Sequence, residues 1–396
     1  MESTPPKCFE IQLLSEQNGC SPVYYSGSTI EGSVLLELTA PLRPIQGIKV
    51  ILSGRAVTSW KEQRTIGQDS YNMTFTDEKI ILSKYQLEVW LRGNYTSVAR
   101  APQQLAGLPA GKHTFPFKMH LTSNLSLPSS FEHSFGHIRY KLVARICSTE
   151  LQKCHYTSLK VITLCSSVDV NLPRFIQPLK RSKEMSVCCL CCARPIAMTV
   201  TTDRGAYCSG ESIAITVVTE NFSNRRLEYV QANLKQTIRF HGKPTYDGRA
   251  VLNLNDSTKN ITKVIQTIRG AVDWHNKQMP IPITVPTITS NQVLQVSYSL
   301  DILLSIQHAS NLNIEIPIVI GTIPYKGPSA ANTVNLHYSS VGRPIFLEMD
   351  VCTMGDLHYA PIYGYVKNYQ FAIDEADTEV VTETTADAEL TYEDGE

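Results

Sequence analysis

Tyr24-Tyr25-Ser26-Gly27-Ser28-Thr29-Ile30-Glu31-Gly32-Ser33-Val34-Leu35-Leu36-Glu37-Leu38 opens on a glycine turn and continues as a strand. Strand side chains alternate, so Val34, Leu36 and Leu38 share one face. The chain then says nearly the same thing again. Tyr207-Cys208-Ser209-Gly210-Glu211-Ser212-Ile213 keeps the spacing Tyr-x-Ser-Gly-x-Ser/Thr-Ile and leads into Ile213, Ile215 and Val217. Two copies of one strand entry, about half a chain apart, predict two β domains of one design in tandem, too few for a solenoid.

The pattern extends outward from both copies. Phe9-Glu10-Ile11-Gln12-Leu13-Leu14 reads as an edge strand, and Ile48, Val50 and Leu52 as another that ends at Gly54, where a bulge or sharp bend is expected. Thr65–Glu78 is polar and reads as a turn; Lys79–Trp90 is apolar, with Ile80-Ile81-Leu82 fitting either period. The clearest strand has Ile138, Tyr140, Leu142, Ala144 and Ile146 on one face and Arg139, Lys141 and Arg145 on the other, which places the charges in water. In the second half Val230, Ala232, Leu234, Ile238 and Phe240 share a face. Later, Ile314, Ile316, Ile318 and Ile320 flank Pro317, which must sit where no ladder donor is needed. No long amphipathic helix is visible.

Composition sets further bounds. With 396 residues the chain can bury two cores without a disulfide framework. Its 11 cysteines and an N-terminus lacking an apolar signal segment predict a cytosolic protein with free thiols, and make its six Asn-x-Ser/Thr sequons chance matches. No apolar run reaches the ~20 residues that span a bilayer, so membrane contact is expected to be peripheral. The formal charge of +0 hides an asymmetry: Asp374–Glu396 holds ten acidic residues and no Lys or Arg, leaving 36 basic against 26 acidic residues before it. Such a body favours anionic partners, phospholipid headgroups or phosphorylated segments. The acidic end reads as a solvating tail, or as one that folds back over a basic face.

The motifs Ser26-Gly27-x-x-Ile30-x-Gly32, Leu108-Pro109-Ala110-Gly111-Lys112-His113-Thr114-Phe115-Pro116-Phe117 and Ser129-Ser130-Phe131-Glu132-His133-x-x-Gly136-x-Ile138-Arg139-Tyr140 mark the first half. Asp203-Arg204-Gly205-Ala206-Tyr207-Cys208-Ser209-Gly210-Glu211-Ser212-Ile213 and Ile318-Val319-Ile320-Gly321-Thr322-Ile323-Pro324 mark the second. In this order the set resembles the α-arrestins, the arrestin domain-containing proteins. The cysteine-rich linker is closest to the branch around arrestin domain-containing protein 3.

The resemblance implies an all-β fold of two tandem arrestin-like, immunoglobulin-like sandwiches with a disordered acidic C-terminal tail. The domains are placed at 1–165 and 196–326, joined by a linker at 166–195 and followed by a tail at 327–396. It also implies a non-enzymatic trafficking adaptor, cytoplasmic and peripheral at plasma membrane and endosomes. The body would engage membrane receptor or transporter tails, and the tail would recruit HECT-type ubiquitin ligases whose WW domains bind Pro-Pro-x-Tyr.

The tail departs from that pattern, because Pro-Pro-x-Tyr occurs nowhere. The nearest match is Tyr359-Ala360-Pro361-Ile362-Tyr363, so Pro361 and Tyr363 are the candidate WW residues, one proline short. Pro22-Val23-Tyr24 and Pro244-Thr245-Tyr246 fit the short pattern inside the domains. Tyr363-Gly364-Tyr365-Val366 also reads as a tyrosine sorting signal docking as an added strand.

The group Cys188-Cys189-Leu190-Cys191-Cys192 invites a zinc reading, but four thiolates within five residues do not wrap readily round one ion. Palmitoylation of Cys188, Cys189, Cys191 and Cys192 beside Lys180, Arg181 and Lys183 suits the chemistry better, against partly buried linker thiols as the plain alternative. Cys147 and Cys154 are expected across a hairpin.

The family includes thioredoxin-interacting protein, which uses a second-domain cysteine for a mixed disulfide. Residues 209–351 contain no cysteine, so thioredoxin is not an expected partner. His133 and His137 read as polar loop residues. No cofactor, metal or nucleic acid is expected. Two alternatives stay open: a retromer-like, ligase-independent sorting component, and a hydrolase or redox enzyme on a β scaffold.

Overall fold

A computed structural model describes residues 5–42, 45–66, 69–91, 107–123, 126–148, 154–189, 192–246, 249–250, 256–327, 335–347, 352–356 and 358–367. The first half runs β1 (Cys8–Leu13), α1 (Leu14–Gln17), β2 (Val23–Tyr25), β3 (Thr29–Leu38), β4 (Ile45–Ile66), β5 (Asp69–Leu91), β6 (Gly111–His120), β7 (Phe131–His133), β8 (Gly136–Ser148) and β9 (Cys154–Cys165). The second runs β10 (Leu179–Cys189), β11 (Cys192–Thr202), β12 (Ala206–Cys208), β13 (Ser212–Asn221), β14 (Leu227–Tyr246), β15 (Arg249–Ala250), β16 (Ser257–Gly270), β17 (Trp274–Pro280), β18 (Leu294–Ile306) and β19 (Leu312–Gly321). Beyond them lie β20 (Leu336–Ser340), β21 (Ile345–Phe346), β22 (Thr353–Asp356), β23 (His358–Tyr359) and β24 (Ile362–Val366).

Each half is a sandwich. The sheet β1-β3-β6 packs on β5-β4-β8-β9-β2, and the sheet β10-β11-β13-β17 on β14-β18-β19-β12. The two glycine entries occupy equivalent places. Tyr24 pairs in parallel with Leu164 on the last strand of its domain, and Tyr207 pairs in parallel with Ile320 on the last strand of its own. Gly27 and Gly210 take φ of 86° and 84°, the left-handed turn conformation that favours glycine. The alternating faces bury as expected: Val34, Leu36, Leu38, Ile213, Ile215 and Val217 are all in the core. So is the row Ile138, Tyr140, Leu142, Ala144 and Ile146. Each large aliphatic or aromatic side chain so buried contributes roughly 1.5–3 kcal/mol relative to exposure.

Gly54 sits at register shifts on both sides, and a Cβ there would lie 2.6 Å from the Tyr140 ring, so the bulge and the missing side chain serve one close approach. Pro317 pairs with Ser299 on one side, while β12 pairs with β19 only from Val319 onward, so its missing N–H costs no ladder bond.

Three expectations change. The polar stretch Thr65–Glu78 is not a turn but part of the long β4–β5 hairpin: Met73 and Phe75 are buried, while much of the surrounding strand faces solvent. The second half of the expected linker 166–195 belongs to the second sandwich, because Leu179–Cys189 pairs along its length with Cys192–Thr202. The expected tail 327–396 contains, between Leu336 and Val366, short strands laid on the body, whereas its acidic part from Asp374 lies outside the described residues. Periodicity faded there because these strands are two to five residues long.

The β4–β5 hairpin reaches into the second sandwich. Thr74, Phe75 and Thr76 pair with Thr245, Pro244 and Lys243, which fuses the large sheets of both domains. Around that seam Trp60 and Phe75 stack at 5.5 Å, and the ring of Phe240 meets His133 at 5.0 Å and Phe135 edge-on at 6.0 Å. Thr245 Oγ1 donates to Thr74 O at 2.8 Å, Thr58 Oγ1 donates to His241 O, and His241 Nδ1 lies 2.7 Å from Asp77 Oδ2. A second seam pins the connecting segment: Val168 N donates to Thr322 Oγ1 at 2.8 Å and Thr322 N to Val168 O at 2.9 Å.

Gly242 lies under the first seam, where a Cβ would come within 2.6 Å of the Trp60 ring. Gly242→Ala is expected to cost about 1–3 kcal/mol by forcing that stack apart. Thermal unfolding would show the lower midpoint, and an unchanged midpoint would mean that the seam does not limit stability.

Candidate functional site: the strap over the interdomain cleft

The described residues between Leu336 and Val366 form a strap across both domains. β20 and β24 make an antiparallel ribbon from Leu336↔Val366 to Ser340↔Ile362, and β21 pairs with β23. β22 adds in parallel to β9, Thr353 opposite Thr157 and Asp356 opposite Lys160. At the edge of β9, Thr157 N donates to Cys352 O at 3.1 Å, and the Thr157 and Thr353 hydroxyls are 2.9 Å apart. Gly355, at φ 121°, passes so close that a Cβ would stand 2.2 Å from Leu159 O.

The candidate WW residues lie inside this contact. Tyr359, Pro361 and Tyr363 are buried and alternate with half-buried Ala360 and Ile362, which is strand periodicity turned toward the body. Tyr363 Oη donates to Ser130 O at 2.8 Å, and Tyr359 Oη is 3.3 Å from Thr163 Oγ1. Ile362 N donates to that same Thr163 hydroxyl at 3.2 Å, and Val341 N donates to Pro361 O at 2.9 Å. On the other domain Val366 N donates to Ser209 O at 2.8 Å, and a Cβ on Gly210 would meet Val366 O at 2.0 Å. The Ser-Gly turn that opens the second sandwich thus also holds the end of the strap.

Two quoted motifs now have structural reasons. Ser130 Oγ accepts from Leu164 N at 3.0 Å, and Ser129 Oγ accepts from Ser166 N at 3.0 Å, so both serines lace their loop to the last strand of the first sandwich. Tyr207 Oη donates to Asp203 Oδ1 at 2.6 Å, Arg204 lies over both the Tyr207 and Tyr325 rings at 4.5 Å, and Glu211 Oε2 accepts from Cys208 N at 2.8 Å. Burial raises the Glu211 carboxyl above its usual range, with Arg204 opposing.

The thiol and imidazole candidates fall elsewhere. Cys188 stands opposite Ala193 and Cys189 opposite Cys192 at the end of the β10–β11 hairpin; Cys191 lies outside the described residues. On β10, Lys180, Arg181 and Lys183 are exposed, with Lys183 Nζ donating to Asn313 O at 3.1 Å. The basic run and two of the four cysteines, Cys188 and Cys189, thus share β10, while Cys192 begins β11 opposite them. Cys147 is in register with Cys154 across β8–β9, as expected. Burial pushes the Cys165 thiol up to about 12 and raises that of Cys208, the opposite of a reactive thiolate. Burial, with Arg139 and Lys141 nearby, holds His137 down at about 4, and burial likewise lowers His133, which packs on Phe240. Among the described residues no group of three His, Cys, Asp or Glu side chains could hold a metal ion, and no helix is long and apolar enough to cross a membrane.

The strap itself escaped the sequence reading. Its signal, the alternation of Tyr359, Pro361 and Tyr363, was present but coincided with a short linear motif.

Burial raises the phenols of Tyr363 and Tyr359, the latter to about 12. An unfolded tyrosine ionises near 10. Their contribution is therefore complete below about pH 10 and is lost as pH climbs through the folded values. Tyr363→Phe is expected to cost about 1 kcal/mol near pH 7 through the lost hydrogen bond, and to flatten the fall in stability above about pH 10. Urea midpoints across that pH range check both; parallel curves for the two proteins would contradict it.

Comparison with known proteins places these features in a family. Residues 14–171 match the model for the arrestin (or S-antigen) N-terminal domain, and residues 193–325 match that for the arrestin (or S-antigen) C-terminal domain. The chain is 31% identical to mouse arrestin domain-containing protein 4 over 349 residues, covering 85% of this chain and 75% of that one. It is 28% identical to arrestin domain-containing protein 17 of Caenorhabditis elegans, over 78% of this chain and 69% of that one. It is 24% identical to human thioredoxin-interacting protein, over 80% and 74%. With both arrestin domains in order, the paired glycine entries in equivalent places and such a relative spanning most of its length, the chain belongs to the arrestin domain-containing proteins, the α-arrestins.

Proposed function

We propose that the protein is a non-enzymatic adaptor for membrane-protein trafficking, cytoplasmic and peripheral at plasma membrane and endosomes, whose arrestin body binds receptor or transporter tails. The observation that carries this reading is the fused frame: strand pairing between Thr74–Thr76 and Lys243–Thr245 makes one continuous scaffold from two sandwiches. Such a frame presents fixed surfaces to a partner without ordering cost. The cysteine-rich hairpin supports a place near arrestin domain-containing protein 3, while the relatives matched include proteins 4 and 17.

How the adaptor connects to sorting depends on the strap. A WW groove grips an extended Pro-x-Tyr segment from outside, and here Pro361 and Tyr363 are buried. That burial favours the ligase-independent, retromer-like reading while the strap is docked. Recruitment of a HECT-type ligase through Pro361 and Tyr363 would require its release. Thioredoxin remains outside the proposed partners, since Cys208 is buried and its thiol is shifted away from thiolate.

Gly210→Ala would place a methyl group against Val366 O and is expected to expel the strap. Purified WW domains are expected to leave the native chain uncaptured. Capture by Gly210→Ala that disappears in Gly210→Ala/Tyr363→Ala would establish latent ligase recruitment, and its absence in all three supports ligase-independent sorting.

We also assign Cys188, Cys189, Cys191 and Cys192 to palmitoylation beside Lys180, Arg181 and Lys183. Two acyl chains, or one with a basic patch, anchor stably where one alone does not. Acyl exchange on protein from cells is expected to label the native chain and to lose that label when all four are serine; equal labelling of both would remove the assignment.

A further inference from the structure

One edge of the second sandwich carries lysines that face inward. β16 pairs with β14 along its length and with no other strand among the described residues, so its second edge is open. An open edge invites pairing with another strand. Lys259, Ile261 and Lys263 stand opposite Phe240, Ile238 and Gln236, all three buried, and so share the face turned toward the core. Inward-facing charge guards an edge against strands of the wrong kind. Lys259 Nζ lies over the Phe135 ring at 4.4 Å and 3.7 Å from Glu62. Lys263 is exposed, with no carboxylate at ion-pair distance among the described residues, and burial and then its charge lower the neighbouring His133 imidazole. At Val264, 51% exposed, the ladder skips a residue, which ends the regular edge there.

The sequence beyond the strap holds a segment of matching pattern, outside the described residues. In Thr378-Glu379-Val380-Val381-Thr382-Glu383-Thr384-Thr385, six of eight residues are β-branched and no Gly or Pro interrupts them, a composition that suits a strand. Alternation would put Glu379, Val381 and Glu383 on one face. Set beside β16 in either direction with Val381 against Ile261, the two glutamates fall opposite Lys259 and Lys263, two opposite-charge pairs around an apolar one. The strap ends near enough for this. Val366 N donates to Ser209 O at 2.8 Å, Ser209 Oγ donates to Thr284 O at 3.3 Å, Gln236 Nε2 donates to Thr284 Oγ1 at 3.1 Å, and Gln236 is the ladder partner of Lys263. That chain of contacts is short beside the roughly 33 Å that the ten residues 368–377 reach when extended.

We propose that the open edge of β16 is a strand-addition site for residues 378–385 of the same chain, with Lys259 and Lys263 holding Glu379 and Glu383. A second copy of β16 is disfavoured there, because it would bring its own two lysines to an edge that already holds two. A strand of the same chain also has the advantage of tethering over one that must arrive from solution.

Hydrogen exchange read by mass spectrometry tests this on the full chain and on a chain ending at Ile373. Without the segment, amides in 257–264 are expected to exchange about tenfold faster or more. Raised salt should narrow that difference. Lys259→Glu/Lys263→Glu and Glu379→Lys/Glu383→Lys should each lose the protection, and the two combined should restore it. The tail variant leaves the body untouched, which keeps the test decisive if the β16 variant folds poorly. Lys141→Gln/Arg145→Gln, on the first sandwich, should change nothing at 257–264.

Equal exchange at 257–264 with and without the segment would overturn the proposal, as would loss of protection confined to β8 and β9. So would a combined charge exchange that fails to restore protection. Protection that fades on dilution would assign the added strand to a second copy and overturn it equally.

Discussion

Three residue pairs across the seam between Thr74–Thr76 and Lys243–Thr245 make one frame of what would otherwise be two sandwiches on a linker. Interdomain contacts within a chain ordinarily permit relative motion. Here the large sheets run into one another, and the join is covered on its apolar side by Trp60, Phe75 and Phe240. Gly242 is small because the Trp60 ring occupies the space above it. The second seam, Val168 against Thr322, closes the connecting segment from the opposite end.

That frame explains the shape of the β4–β5 hairpin. Its two strands, 22 and 23 residues long, exceed what one sandwich needs, and the excess is the polar end that crosses to the partner domain. Polar composition there reflects one covered face and one wet face. It reads as a turn only when the second domain is left out of account. A single-sequence reading weighs local pattern, and the covering surface at Phe240 and Gly242 lies more than 160 residues away.

The same distinction separates what was legible from what was not. Both sandwiches, their glycine entries, the Gly54 bulge, the buried row from Ile138 to Ile146 and the position of Pro317 followed from period-two alternation and from the special backbone needs of Gly and Pro. Those signals are local. The strap was not legible as structure, because strands of two to five residues carry too few alternations, and its inward residues include Pro-x-Tyr, one proline short of the motif that WW domains bind. Arg139, Lys141 and Arg145 were assigned the correct face but the wrong surroundings, being half-buried in a groove of about 460 Å³. Alternation says which way a side chain points, and it does not say whether neighbouring strands recess that face.

Pro361 and Tyr363 show how one short sequence serves two physical ends. Proline lacks the N–H that a ladder would use, and in the strap Pro361 instead offers its carbonyl to Val341. Tyrosine brings a large apolar ring with one polar tip, and Tyr363 buries the ring while its hydroxyl reaches Ser130 O. Those properties, an extended proline and an amphipathic aromatic two residues on, are also the ones a WW groove selects. Whatever surface holds this segment therefore competes with any WW domain for the same atoms. The docked strap has the advantage of being tethered: its local concentration is set by the chain, so a free partner must bind tightly enough to offset an intramolecular contact. A segment with a single proline begins such a competition at a disadvantage, while Val366 on Ser209 and Tyr363 on Ser130 hold it to both domains.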